Sequence, residues 1–170
     1  MRMILRGASA HLPTRDALRV ACASLCELPV LTLREPFASL VAWGVKTIET
    51  RKTGTTHRGL LAIHAGIGPE LPCDERHVRR LWERWKAAGC LGALHGDMLG
   101  PTKGNVIAVV RVLDVRDLKP EDEPAACFYA AGRKAWILAA DVVRVKPLAH
   151  RGAQGFSYVD ATKLEPETAT

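Results

Sequence analysis

The stretch GVKTIETR (residues 44–51) lies between EPFASL (35–40) and RGLLAIHA (58–65), and the succession of these three pieces decides how the chain is organised. In the first piece Pro36 stands where proline is favoured, in the opening turn of a helix, and Gly44 supplies the stop. A helix over 36–43 is expected. Residues 45–51 are rich in β-branched side chains and alternate as a strand does, Val45, Thr47, Glu49 and Arg51 facing one way and Lys46, Ile48 and Thr50 the other. A loop through Thr53, Gly54, Thr55 and Thr56 leads into 59–65, a continuous apolar strand with His64 near its exit, ended by Gly66, Gly68 and Pro69.

Outward from this centre, Val30 to Leu33 make a short strand entering the helix. Downstream, Val78, Leu81, Trp82 and Trp85 fall at helical spacing on one face, predicting a helix over 74–88 capped by Asp74 and closed by Gly89. Residues 105–115 carry valine or isoleucine at most positions, the signature of a central strand. Residues 120–124, three acids between two prolines, read as an exposed loop. Residues 136–138 and 142–145 read as two strands or one bent strand, and 152–160 as a loop leading to an extended piece around Phe156 and Tyr158. Short strands with two helices inserted and no βαβ rhythm predict an α+β fold, a small β-barrel with flanking helices. Residues 1–28 read as an N-terminal arm, 29–160 as the domain, and the acidic, threonine-rich 161–170 as a frayed tail.

A domain of 170 residues buries roughly 70% of its unfolded surface and needs neither metal nor disulfide merely to fold. With 48% hydrophobic and 25% charged residues, disordered and fibrous classes are excluded, and no apolar run approaches the ~20 residues of a membrane span. Residues 1–103 hold 15 Lys and Arg against 9 acids while 104–170 hold 9 of each, so the whole surplus of +6 is N-terminal and favours a polyanionic partner. The five cysteines contain no C-x-x-C pair, so reduced thiols and a cytoplasmic setting are expected. Cys73, His77, Cys90 and His95 have finger-like separations, but the order of ligand types is wrong and the segment between them reads as helix. No metal is expected. No cofactor is expected either, since Gly66-Ile-Gly68 lacks the third glycine of a dinucleotide fingerprint and residues 100–104 lack the ending of a P-loop.

The succession of a Pro-aromatic helix, a Gly-x-Lys-x-x-Glu-x-Arg strand and an Arg-Gly strand ending near a His resembles the ASCH domain, the activating-signal-cointegrator homology family of the PUA-like fold. The strand from Gly104 to Val110, Trp136-Ile-Leu138 and the loop 152–158 fall in the family's order, so the resemblance covers about residues 29–160. It implies a PUA-like barrel that binds nucleic acid, RNA before DNA, through a charged cleft.

The chemistry of the residues agrees with that expectation. Lys46 and Arg51 offer donors for a phosphate or base edge, and Glu49 can accept from an exocyclic amine. Phe37 and Phe156 can stack on a base, and His64 and Gln154 complete the expected binding set. Two other classes stay open. Some PUA-like relatives are acetylcytidine amidohydrolases, which carry a nucleophilic Thr three residues after a Lys; here Glu49 occupies that place, while Lys46 matches and is the best candidate catalytic residue. Others are described as ribonucleases, for which Lys46 with Glu49 or His64 could supply acid and base. A protein-docking module of a transcription or translation complex is the third class.

Overall fold

The computed structural model describes residues 24–68, 83 and 102–167. Its elements are β1 (Glu27–Leu33), α1 (Phe37–Ala42), β2 (Ile48–Arg51), β3 (Gly59–Ala65), β4 (Asn105–Asp117), α2 (Glu123–Ala126), β5 (Lys134–Leu138), β6 (Val143–Ala149) and β7 (Phe156–Asp160). Short 3-10 turns occupy Pro120–Asp122 and Ala161–Lys163. The arm as far as residue 23, the helix expected over 74–88 and the Cys73 to His95 spacing lie outside the described residues, Glu83 excepted.

The valine-rich β4 is central, as its composition predicts. One edge pairs antiparallel with β3 from Asn105 to Val112; the other takes β6 along its first half and β5 along its second. β5 and β6 thus follow one another along the same edge of β4, two segments of a bent strand interrupted at 139–142. β1 lies parallel to β3, β7 antiparallel to β1, and β2 antiparallel to β5.

The resulting order is β2-β5-β4-β3-β1-β7, with β6 beside β4. The α+β class holds, but the sheet is not closed into a barrel: β2 and β7 do not pair. β2 has only four residues, and β1 runs past the start of β7, whose Phe156 pairs with Leu31 and leaves Thr32 and Leu33 beyond it. On the side of this opening the rings of Trp136 and Phe156 meet with centroids 5.8 Å apart.

Both faces of the sheet are buried, which is why β3 reads as a continuous apolar run rather than an alternating one. Leu31, Leu33, Leu61 and Ile63 pack with Ala38 and Val41 of α1 on one face. Leu28, Val30, Ala62 and Val106 pack on the other against Val145, Ala161 and Leu164. The chain end expected to fray from 161 is therefore held down as far as Glu167. Leu164 is buried, Pro166 bridges to Val145, and Glu167 pairs with Arg144 at 2.7 Å. Its threonines and acids suggested solvent, but Ala161 and Leu164 join Val145 in the apolar cluster on that face of the sheet. The acidic 120–124 segment is not a plain exposed loop either. It folds into a 3-10 turn and α2, with Asp122 buried and accepting two hydrogen bonds from Arg116, at 2.6 and 2.7 Å.

Candidate functional site

The signature begins where α1 stops. Gly44 adopts φ +68°, the left-handed region glycine tolerates, and a Cβ there would stand 3.2 Å from the carbonyl of Ala140. The chain then doubles back so tightly that the N–H groups of Val45 and Lys46 both donate to the carbonyl of Leu40. The strand expected over 45–51 consequently starts only at Ile48, and strict alternation does not apply to Lys46. Its side chain turns inward. The ammonium lies 3.2 Å from Glu49 Oε2, donates to the carbonyls of Ile48 and Ala126, and stands 5.6 Å from the centre of the Phe37 ring.

Lys46, expected to offer its donors to a phosphate or a base edge, is only 1% exposed and does not line the cleft. As the candidate catalytic residue it is likewise buried, with its ammonium turned to Glu49 and to the carbonyls of Ile48 and Ala126. Its place is behind Glu49, which it holds. Glu49 is itself 6% exposed and does reach the cleft, with Oε1 3.8 Å from Arg51 Nε. That separation is beyond hydrogen-bonding range, so among the described residues Oε1 retains open acceptor capacity.

The cleft has a volume of about 890 Å³ and lies in the opening of the sheet, between the end of β1, β2 with the loop after it, and residues 153–156. Five of the seven expected site residues line it: Phe37, Glu49, Arg51, Gln154 and Phe156. Sequence reading did not single out the others that matter. Arg34, Lys52 and Arg133 bring three further cations, and Phe128 and Trp136 two further rings. Four cations thus face one carboxylate. Arg133 donates to the carbonyl of Thr50 at 2.9 Å and lies 5.6 Å from the centre of the Phe128 ring, while its Nε meets no hydrogen-bond partner among the described residues. Arg34, Lys52 and Arg133 have no carboxylate partner among the described residues. The available signal was only that each stands just outside the end of a strand, Arg34 after β1, Lys52 after β2 and Arg133 before β5.

His64, the seventh expected residue, is 1% exposed and lies outside the lining. It supports the cleft from below. Its Nδ1 is 3.1 Å from the Thr32 hydroxyl, which accepts from the N–H of Ala153 at 3.3 Å, so the loop bearing Gln154 and Phe156 is tied to β1 and β3. Gly152 packs so closely that a Cβ there would stand 2.8 Å from the imidazole. Burial first, and the neighbouring His150 second, hold the His64 imidazole below its ordinary value of 6.5. On the other flank Glu35, fully buried, accepts from the Ser39 N–H and hydroxyl and from Thr102, fixing the start of α1 beside Arg34.

Among the described residues no group of three or more His, Cys, Asp or Glu is placed to hold a metal ion, and no helix is long and apolar enough to cross a membrane. Of the cysteines described, Cys26 is exposed and Cys127 buried, both as free thiols. A family model described as the ASCH domain matches residues 31–149. No curated protein matches the chain.

Proposed function

The chain belongs to the ASCH domain family, and on that footing we propose that it binds RNA, drawing an unpaired stretch into the cleft beside β2. The ASCH domain is generally associated with RNA binding. The observation that carries the proposal is the makeup of the cleft: Arg34, Arg51, Lys52 and Arg133 around a single carboxylate, with Phe37, Phe128, Trp136 and Phe156 among them. Cations hold phosphates and release counterions; aromatic faces take unstacked bases. Duplex RNA keeps its base faces stacked and out of reach of such rings, so the single strand is the better fit. The formal charge of +6 adds a favourable long-range field.

The same reading covers the architecture. The described residues from β1 to Glu167 are read as one PUA-like unit whose sheet stays open between β2 and β7, with the opening as the mouth of the cleft. Titration of a labelled single-stranded RNA is the test. A dissociation constant of roughly 0.1 mM to 1 μM is expected, weakening about twentyfold between about 50 and 200 mM salt if roughly three phosphates are contacted. Arg34→Ala, Lys52→Ala and Arg133→Ala should each weaken binding and flatten its salt dependence. Affinity indifferent to salt and to all three changes would remove the cleft from consideration.

A further inference from the structure

The cleft holds one feature that phosphate binding does not need. Among four cations at its walls sits a carboxylate, Glu49, nearly buried and gripped from behind by the Lys46 ammonium at 3.2 Å. An acid beside a phosphate path repels it, so a carboxylate fixed there is better explained by a hydrogen-bond donor on the ligand. The contact is made through Oε2. Lys46 takes Oε2, while Oε1 lies 3.8 Å from Arg51 Nε and accepts no hydrogen bond from any described residue. A carboxylate is acceptor-only, so Oε1 selects an N–H and rejects a carbonyl.

The surroundings define what carries that N–H. Trp136 is the register partner of Glu49 across β2 and β5, which sets its ring beside the carboxylate, and Phe156 lies 5.8 Å from that ring. A flat, stackable group with an amine on its edge fits such a place. Resting on the RNA-binding reading, we propose that the cleft takes one unstacked nucleobase bearing an exocyclic amine, whose N–H donates to Glu49 Oε1, and that uracil is disfavoured. Uracil offers its N3–H only between two carbonyls, which would meet the carboxylate together with it. The amine of cytosine, adenine or guanine offers a donor without that pair of flanking carbonyls.

The test compares three short RNA oligomers on the full chain: cytidine, uridine and N4,N4-dimethylcytidine, the last keeping the cytosine ring but losing both amine hydrogens. The cytidine oligomer should bind about tenfold to a hundredfold more tightly than either of the others, the range for a hydrogen bond to a charged group. Equal binding of cytidine and uridine would overturn the base preference and leave RNA binding standing. Dimethylcytidine binding like cytidine would overturn the amine contact in the same way. Binding of none of them would overturn RNA binding and the base preference together. Glu49→Gln, whose amide can face a carbonyl with its own N–H, should shrink the cytidine-to-uridine ratio to about threefold or less; retention of the full ratio would also overturn the proposal. Should that variant fail to fold, the three oligomers on the unaltered chain still decide.

Discussion

Replacing Lys46 with methionine keeps most of the side-chain volume and removes the ammonium, and the structure sets a scale for the loss. Lys46 and Glu49 are 1% and 8% exposed at their side chains and 3.2 Å apart. At an effective dielectric constant of about 20, two unit charges at that distance attract by about 5 kcal/mol. The measured effect should be comparable, because Glu49 is left buried without its partner and the carbonyls of Ile48 and Ala126 lose a donor. Truncating one member of a buried pair costs about 3–5 kcal/mol, out of the roughly 5–15 kcal/mol that hold a domain folded. Urea denaturation of Lys46→Met should show it, against Lys146→Met as the internal comparison. Lys146 pairs with Glu165 at 2.7 Å but both side chains are mostly exposed, so that change should cost under about 1 kcal/mol. Adding Glu49→Gln to Lys46→Met removes the orphaned charge and should recover about 2 kcal/mol or more. A Lys46→Met cost no larger than that of Lys146→Met, or strict additivity in the double variant, would refute the buried pair.

Three further outcomes follow from other parts of the structure. The Arg116 hydrogen bonds bring the Asp122 carboxyl down to about 2; its stabilising contribution is present above about pH 4 and lost as pH falls towards 2, and acid titration of Arg116→Ala should lack about 1–2 kcal/mol of that loss, after allowance for the partly exposed guanidinium. The depressed His64 imidazole also contributes stability that is fully present above 6.5 and lost as pH falls through its lower folded value, so the melting temperature should drop below about pH 6.5, and less steeply in His64→Gln. Gly152→Ala brings a methyl to 2.8 Å from the His64 ring; about 1–3 kcal/mol of stability should be lost in thermal unfolding, and RNA affinity should fall several-fold as the loop bearing Gln154 and Phe156 shifts.

Legibility differed between strand and site for physical reasons. β3 was readable to its end residues because burial on both faces demands an unbroken apolar run, and glycines bound it. β4 was readable as central for the same reason. The packing of 161–167 was not legible because Ala161 and Leu164 weigh little in a local count against lysine, threonines and acids, yet both join the apolar cluster on one face of the sheet. Lys46 was misread because alternation assumes an extended chain, and the return after Gly44 breaks that assumption within two residues.

From the sequence alone come the α+β class, the identity of the signature strand, the places of the major strands along the chain and the basic surplus, all of which depend on residue type and near-neighbour spacing. Tertiary structure alone decided that the sheet stays open, that Lys46 and His64 support the cleft from behind, and that Arg34, Lys52, Arg133, Phe128 and Trp136 join the walls. Those facts are set by contacts between residues as far apart as Lys46 and Ala126, or Thr50 and Arg133. Local pattern carries no record of such separations, because the energy that selects them arises only when strands distant in the chain pack side by side.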